Sequence, residues 1–239
     1  MARRKRIGSQ LSGNSAKKME PFDPLAVENV GVTLAVELLE QPLSSLAPEG
    51  RFSGAGVYAL YYSGSHPAYS KLVEMDKEKG GWKYPVYIGS AVRENAKQGF
   101  NPRPTSQARL WTRLGHHAAS ISEVQKGGLD PEFRLEDFRC RFLILNDAYV
   151  TLAESVLIAT FRPAWNGMGF GSKVVGGRRM EGRASLWDSL HPGRGGRPPG
   201  TAERGAEAAA KIQESIDKLS EAPSDARSAK MMEKIRHFL

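Results

Sequence analysis

An arginine and a histidine one helical turn apart are the side chains best placed to do chemistry. A helix is predicted over Ser106–Lys126, because its apolar residues recur with a helical period. On this helix His117 falls on the apolar face with Arg113 at its edge, whereas His116 falls beside Arg109 and should face outward. A histidine on an inward face is more often a core residue with both nitrogens satisfied. With Arg113 beside it, His117 could instead belong to a site that holds a phosphate and moves a proton.

Two tyrosine-bearing segments are predicted to form the sheet that this helix faces. Gly56–Tyr62 and Pro85–Gly89 are rich in β-branched and aromatic residues and are flanked by glycine, as strands commonly are. Side chains two apart share a face, so Tyr58 belongs with the even-numbered residues of its strand. The polar stretch 63–84 means that the strands pair only across a long excursion. Taken singly, Tyr58 and Tyr87 are most simply aromatic packing with a satisfied hydroxyl.

A single glutamate stands in an otherwise apolar helix later in the chain. The strand Phe138–Leu145 begins with strict alternation and ends in a continuous apolar run, which predicts a position inside the sheet. The following helix, Val150–Phe161, is apolar nearly all round and carries Glu154 on its inward stripe. An ionised carboxylate there is costly unless it is paired or binds a metal. The sequence leaves open a salt bridge to Arg113 and a role as metal ligand.

Loops rich in glycine and polar residues follow the second strand and the apolar helix. Residues 90–105 contain several Asn, Pro, Gly and Gln residues and are predicted to be a loop that could lie near nucleic acid. The helix is predicted to end before Pro163, since the residue that precedes a proline disfavours helical geometry. Asn166 is thereby delivered into a loop that contains many glycines and cations.

The positive charge of the chain is concentrated in two tracts. Lysine and arginine number 34 and acidic residues 26, which gives a net charge of +8. Residues 1–18 hold six cations and no anion, and residues 166–200 hold six cations against two acids. Such concentrated charge suits a polyanionic partner. The first tract is most simply a disordered, solvated tail.

The tyrosine segments resemble the signature of the GIY-YIG nucleases. Gly56–Tyr58 and Tyr87–Gly89 match its two tripeptides, with Val57 in place of isoleucine. The family carries, in order, two tyrosines, an arginine on the next helix, a glutamate on a later helix and often an asparagine. The residues at these positions in this sequence are Tyr58, Tyr87, Arg113, Glu154 and Asn166. The resemblance runs from Arg51 to Asn166.

Within that family, the chain is similar to the type II restriction endonucleases that cut the palindrome CCGCGG. It shares with them the run Arg51–Tyr62, apart from position 53, and a histidine four residues after the arginine. It also shares Trp187-Asp188 followed by His191–Arg194. The family usually joins its tyrosine strands by a short connection, and the enlarged connection found here is a further feature of this group.

The resemblance implies hydrolysis of a DNA phosphodiester by in-line attack of water, with one divalent cation. Glu154 would be the one protein carboxylate on Mg²⁺, for which Mn²⁺ could substitute. A lone glutamate suffices, because magnesium keeps most of its waters and commonly takes one or two carboxylates besides substrate phosphate.

The resemblance also implies roles for the other site residues. Tyr58 would hold and help deprotonate the attacking water, and His117 would lower the cost of removing the phenolic proton. Arg113 would clamp the phosphate and stabilise the transition-state charge. Tyr87 would hydrogen-bond the phosphate or the water, and Asn166 would support the site.

The fold class expected is α/β, a small central sheet of the GIY-YIG type flanked by helices, with basic N-terminal and helical C-terminal extensions. Residues 1–22 are expected to be a disordered tail, 23–200 the nuclease domain with DNA-binding insertions, and 201–239 a helical extension. A helix within residues 21–46 should pack on the core. The C-terminal extension is predicted to be two helices, broken near Pro223 and peripheral to the core.

The composition indicates a cytoplasmic protein. Cys140 is the one cysteine, so an intramolecular disulfide is excluded and a reducing compartment is expected. The basic start is not followed by the apolar stretch of a signal peptide. The most apolar run, Val150–Phe161, is too short to span a membrane.

The partners that the resemblance implies are double-stranded DNA, a second copy of the chain on that DNA, and a cognate DNA methyltransferase. Two other functions stay open at this point. The same active site serves structure-specific repair or mobile-element nucleases, although such proteins usually attach separate DNA-binding modules. Alternatively, the chain could be a DNA-binding module whose tyrosines and glutamate are structural.

Overall fold

A four-stranded antiparallel sheet forms the centre of the chain. In the computed structural model, the described residues are 21–92, 105–171, 182–219, 221 and 226–235. The strands are β1 (Ser44–Ser45), β2 (Ala55–Tyr62), β3 (Tyr87–Ala91) and β4 (Phe138–Leu145). Their order across the sheet is β1–β4–β2–β3, and every neighbouring pair is antiparallel. The pairing of the two tyrosine strands and the interior position of β4 are thus confirmed.

Helices cover both faces of this sheet, as an α/β fold requires. They are α1 (Val27–Glu40), α2 (Ser70–Glu78), α3 (Arg109–Gly127), α4 (Asp147–Phe161), α5 (Leu186–Leu190), α6 (Ala202–Asp217) and α7 (Ala226–Ile235). No helix in the described part of the chain has the length and apolar character that crossing a membrane demands. The predicted fold class is confirmed for this part of the chain.

The two faces of β2 belong to two separate hydrophobic cores. Tyr58 and Tyr62 pack into the larger core with α3, whereas Val57 and Tyr61 pack into a second core with α1 and α4. All eight residues of β2 are buried. Alternate residues of β2 thus face opposite cores, as the alternation of the sequence predicted. Every side chain of the strand is buried because helices cover both of its faces.

Two glycines of the tyrosine strands are required by close approach. A Cβ atom at Gly56 would collide with the backbone carbonyl of Leu143 on β4, so glycine allows the two strands to pair closely here. Gly89 lies opposite Tyr58 in the register of β2 and β3, and a Cβ atom there would collide with the Tyr58 hydroxyl. Gly89 thus makes room for the tyrosine side chain that crosses it.

The excursion between the tyrosine strands is folded, which its polar composition did not predict. It holds a 3₁₀ turn, Pro67–Tyr69, followed by α2. Asp76 lies within that helix, and its carboxylate accepts backbone hydrogen bonds from the segment beyond it, from Trp82, from Lys83 at 2.6 Å and from Tyr84 at 2.9 Å. A side chain that satisfies three consecutive backbone donors fixes the return of the chain into β3.

The C-terminal prediction is confirmed in its elements and wrong in their placement. Two helices form, α6 and α7, although Pro223 lies outside the described residues. The helices are not peripheral, since Ile212 and Ile216 of α6 belong to the larger core and Ile235 of α7 to the second core. The apolar stripe of α6 packs on α5, and that of α7 packs on α1. Of the basic tail predicted over residues 1–22, residues 1–20 lie outside the described part of the chain.

A buried network of polar side chains joins the excursion to the segment after α5. His191 Nδ1 lies 2.7 Å from Asp130 Oδ2, and His66 Nε2 lies 3.5 Å from the same oxygen. His191 Nε2 lies 2.5 Å from the Tyr69 hydroxyl, and His66 Nδ1 accepts the Ala68 amide at 3.2 Å. The ligand atoms of the two histidines and Asp130 lie within 4.8 Å of one another, close enough to share an ion. Each ring nitrogen already has a protein partner, and we therefore interpret the cluster as a hydrogen-bonded network.

This network makes stability depend on pH. Burial lowers the pKa of His191 from 6.5 to about 4, and it lowers the pKa of His66 in the same direction. Below pH 6.5 His191 binds a proton in the unfolded chain, whereas in the folded chain it binds one only near pH 4. The stabilisation is thus complete above the unfolded pKa and is lost as pH falls toward the folded one, at up to ~1.4 kcal/mol per pH unit.

We predict that the free energy of unfolding, measured by urea denaturation, falls between pH 7 and pH 4.5 by roughly 2 kcal/mol more in wild type than in His191→Gln. The glutamine keeps hydrogen-bonding groups without titrating in this range. His116→Gln, which changes an exposed histidine, is the matched control and should decline as wild type does. An equally steep decline in His191→Gln would contradict the assignment.

Candidate active site

Four of the predicted site residues meet at one end of the β2–β3 pair. The Tyr58 hydroxyl lies 2.6 Å from His117 Nε2 and accepts a hydrogen bond from Arg113 Nε at 3.3 Å. The Tyr87 ring lies next to them, with centroid distances of 6.2 Å to Tyr58 and 5.5 Å to His117. The helical phase predicted for α3 is confirmed, because His117 is buried and His116 is exposed.

The hydrogen bonds around Tyr58 indicate where its proton lies. Arg113 can only donate, so the phenolic oxygen acts as acceptor in that contact. The phenolic O–H is then free to donate to His117 Nε2, which requires a neutral imidazole with its other nitrogen protonated. His117 is accordingly placed to receive a proton from Tyr58.

Burial keeps both tyrosines protonated. It strongly raises the pKa of Tyr58, an effect to which Tyr87 adds and which the positive charge of Arg113 opposes. Burial is also the main cause that raises the pKa of Tyr87, again opposed by Arg113. Neither phenol is ionised near neutral pH, so a proton leaves Tyr58 only when a base such as His117 accepts it.

A segment after α4 covers this site, and nothing in its sequence except a run of glycines pointed to this position. Phe170 stacks on His117 with ring centroids 4.7 Å apart and meets Tyr87 edge to face at 5.1 Å. The carbonyl of Gly171 accepts a hydrogen bond from Arg113 Nη2. Under this cover Tyr58 is 0% exposed.

Glu154 approaches from α4, on the other face of the sheet. Its carboxylate accepts a hydrogen bond at 2.6 Å from the hydroxyl of Ser90, near the end of β3. After burial, the Glu154 charge is among the causes that raise the pKa values of Tyr58 and Tyr87. Among the described residues no ion pair joins Glu154 to Arg113, so the salt bridge left open by the sequence does not form.

Asn166 is bound to the outer edge of β3. Its side-chain oxygen accepts the Ile88 amide at 3.0 Å, and its amide nitrogen donates to the Ile88 carbonyl at 2.8 Å. The preceding Trp165 donates its backbone amide to Val86 at 2.9 Å. These contacts continue the sheet past its edge strand and flank Tyr87 on both sides. The Asn166 side chain thus holds the backbone next to Tyr87, and it makes no hydrogen bond to Tyr58 or Arg113.

The donor set suits one hard divalent cation. Glu154 is half-buried and offers a carboxylate, and Ser90 offers a hydroxyl beside it. Oxygen ligands of this kind suit magnesium, which commonly takes one or two carboxylates and keeps several waters. The buried cluster of His66, Asp130 and His191 is less suited, because its nitrogens are already engaged.

A cleft of about 400 Å³ opens next to the four residues. Its lining includes Arg113 and His117 of the site, His116, and two arginines from the segment after α5, Arg194 and Arg197. Arg194 is held from behind by a buried ion pair with Asp188 at 2.6 Å.

Of the residues after position 186 that the sequence singled out, Arg194 lines this cleft, and Trp187 and Asp188 hold it in place. The Arg194 guanidinium also lies over the Trp187 ring, 4.5 Å from its centroid. Ser185 caps α5 by accepting the Asp188 amide, so the carboxylate that holds the arginine is itself fixed by the start of the helix.

Comparison with known proteins agrees with this geometry. A family profile described as the Eco29kI GIY-YIG domain matches residues 50–220, more than half of the chain. A search of curated proteins found no match. The matched range holds both tyrosine strands, α3, α4 and the segment that builds the cleft, and it extends through α6. The chain thus belongs to the GIY-YIG nuclease family, in the group that the Eco29kI domain represents.

Proposed function

We propose that the chain is a type II restriction endonuclease that makes double-strand breaks at CCGCGG by metal-dependent hydrolysis of the phosphodiester. The observation that carries the proposal is the contact of Tyr58 with both His117 and Arg113, which joins a proton acceptor and a phosphate-binding cation at one phenol. The match to the Eco29kI domain supports a restriction enzyme over other nucleases that use the same site. The specificity for CCGCGG rests on the resemblance of the sequence.

The scissile phosphate would take the place of the Gly171 carbonyl on Arg113. That carbonyl is a neutral acceptor, and a phosphate oxygen carries charge and can be bound by two guanidinium nitrogens. Arg113 would then stabilise the charge that develops in the transition state. Tyr87, beside Gly171, would donate a hydrogen bond to the same phosphate or to the attacking water.

Tyr58 would orient the water and take part in its deprotonation. As the water attacks in line, its proton passes to the Tyr58 oxygen while the phenolic proton passes to His117 Nε2. Glu154 would hold the magnesium ion, for which manganese could substitute, and the bound ion would supply positive charge at the phosphate oxygens. Asn166 would keep the backbone around Tyr87 in place.

The cleft offers the positive surface that a DNA strand needs. Arg113 and Arg197 line it with one carboxylate, Glu123, and the charge of Arg194, which also lines it, is balanced by the buried ion pair with Asp188. The Glu123 carboxylate accepts the amide of Gly195, so it is directed to the wall of the cleft. Cations along a cleft that leads to the reacting group attract phosphates and release counterions.

The biological setting belongs to the same proposal. A restriction enzyme acts in the cytoplasm, where the DNA is, and needs a cognate methyltransferase that protects the host's own sites. The domain limits, 23–200 for the nuclease and 201–239 for the extension, stay predictions, and the burial of α6 in the larger core favours including it in the nuclease domain.

We predict that wild type cuts plasmid DNA into a discrete set of fragments with magnesium, and that Glu154→Gln abolishes this cutting while DNA binding is nearly intact. The amide keeps the shape of the side chain and removes the charge that binds the metal. Glu136→Gln, which changes an exposed glutamate paired with Arg134, is the control and should cut as wild type does.

The outcomes of this assay separate the alternatives. Glu154→Gln activity within tenfold of wild type would refute the metal assignment. Nicking that depends on DNA structure would indicate a repair or mobile-element nuclease, and binding without any cutting would indicate a DNA-binding module.

We also predict that two chains bind one CCGCGG duplex as a twofold-symmetric dimer. A palindrome presents the same half-site twice, and a symmetric pair presents the same surface to each. Light scattering on the saturated complex measures the ratio, and one chain per duplex would contradict the dimer. A scrambled duplex of the same composition is the control at matched salt, and equal affinity for both duplexes would refute the specificity.

The last prediction of the mechanism separates the adjacent histidines of α3. His117→Ala should lower the single-turnover cleavage rate by roughly 10²-fold or more with little change in DNA binding, because the acceptor for the Tyr58 proton is lost. His116→Ala, on the exposed face, should affect the rate much less. A protonated imidazole cannot accept the Tyr58 proton, so wild type should lose rate as the pH is lowered. Equal defects in both variants, or an unchanged acid limb in His117→Ala, would refute the assignment.

A further inference from the structure

We propose that a buried hydrogen-bonded chain, Asp130–His191–Tyr69–Trp165, positions the strand that carries Tyr87, which makes Tyr69 and His191 positioning residues for cleavage. The proposal rests on the proposed function for its effect on rate. The chain begins beside the segment that lines the cleft and ends at the outer edge of β3.

The hydrogen bonds of this chain have a single consistent direction. The Trp165 indole donates to the Tyr69 hydroxyl at 2.9 Å, so that oxygen accepts and its own proton points to His191 Nε2 at 2.5 Å. His191 Nδ1 then carries the imidazole proton and donates to Asp130 at 2.7 Å. The reverse order would leave the buried Tyr69 proton without an acceptor, because the indole N–H can only donate. The order of donors therefore fixes the orientation of every ring in the chain.

Burial makes these bonds obligatory. Tyr69, Trp165 and His191 are 0% exposed, and Asp130 is 7% exposed. No solvent reaches the polar atoms if one bond is broken, so the rings cannot rotate without leaving a buried group unsatisfied. A polar chain that is fully satisfied in the interior holds its members more rigidly than apolar packing does.

The Trp165 end of the chain is attached directly to the active-site strand. Its backbone amide donates to Val86, and the next residue, Asn166, makes both hydrogen bonds to Ile88. Val86 and Ile88 are the two neighbours of Tyr87. The Trp165 ring also packs against Phe170, with centroids 4.7 Å apart, and Phe170 stacks on His117.

The His191 end is attached to the wall of the cleft. His191 follows α5, and three residues later Arg194 lines the cleft in its ion pair with Asp188. The hydrogen-bonded chain thus connects the cleft wall, which is proposed to contact DNA, with the strand that carries Tyr87, which is proposed to take part in cleavage. Displacement of the cleft wall would be transmitted to the backbone beside Tyr87.

The test is Tyr69→Phe, which removes one oxygen atom and keeps the ring. We expect a single-turnover cleavage rate at saturating DNA about tenfold or more below wild type, with the DNA dissociation constant changed by less than about twofold. Tyr62→Phe is the matched control, because its hydroxyl bonds the His66 amide at 2.9 Å in the same core and does not contact Trp165. It should cut within about twofold of wild type.

Two further measurements distinguish positioning from general loss of packing. In the double variant Tyr69→Phe with Asn166→Ala, the rate should be close to that of Asn166→Ala alone, because both changes act along one path. Hydrogen exchange of the Ile88 amide, which donates to Asn166, should become at least about tenfold faster in Tyr69→Phe than in Tyr62→Phe. Trp165→Phe removes the indole donor in a second way and should behave as Tyr69→Phe does.

Defined outcomes would overturn the proposal. They are a wild-type cleavage rate in Tyr69→Phe, equal defects in Tyr69→Phe and Tyr62→Phe, multiplicative effects in the double variant, and unchanged exchange at Ile88. The exchange measurement requires no cleavage. Lack of cutting by wild type, with faster exchange in Tyr69→Phe, would refute the proposed function and leave the positioning chain standing.

Discussion

The burial of one phenolic hydroxyl sets the arrangement of the whole active site. Tyr58 lies in the central strand and is 0% exposed, so its hydroxyl must be satisfied by protein groups. Arg113 and His117, one turn apart on α3, supply those groups and thereby fix the helix against the sheet. Gly89 must remain without a side chain for the ring to pass. The hydrogen bonds that hold α3 on the sheet are therefore the same ones that the chemistry would use.

The segment that covers the site also holds the polar groups in position before substrate binds. Gly171 occupies Arg113 through its carbonyl, and Phe170 lies on the His117 ring. The polar groups are thus assembled and oriented before a phosphate arrives, and the substrate would replace an existing acceptor instead of ordering free side chains. Preorganised donors of this kind need little rearrangement when charge develops, which is the main source of electrostatic stabilisation in enzymes. The corresponding cost would be to displace Phe170 from its four aromatic neighbours, Tyr87, His117, Trp165 and Trp187.

Local periodicity predicted the parts of this site that depend on one element. Alternation placed Tyr58 on the face of α3, and the helical period separated His117 from His116, because each conclusion needs only the geometry of one strand or helix. Other features join elements that are distant in sequence: the hydrogen bond from Ser90 to Glu154, the cover by Phe170 and the burial of α6. The periodicity of one element does not predict such contacts. The salt bridge between Arg113 and Glu154 was a plausible pairing of charges, but the two side chains approach from opposite faces of the sheet.

The pKa of Tyr58 constrains how the proposed mechanism can use it. An ordinary phenol, with a pKa near 10, is ionised in only about one molecule in a thousand at pH 7. Burial makes the phenolate of Tyr58 rarer still. A mechanism that waits for the phenolate would be slow, whereas transfer of the water proton to Tyr58 as its own proton moves to His117 never places a full negative charge on the buried oxygen. The short contact between Tyr58 and His117 is the geometry that such a paired transfer requires, and Arg113, on the same oxygen, stabilises any partial charge that develops there.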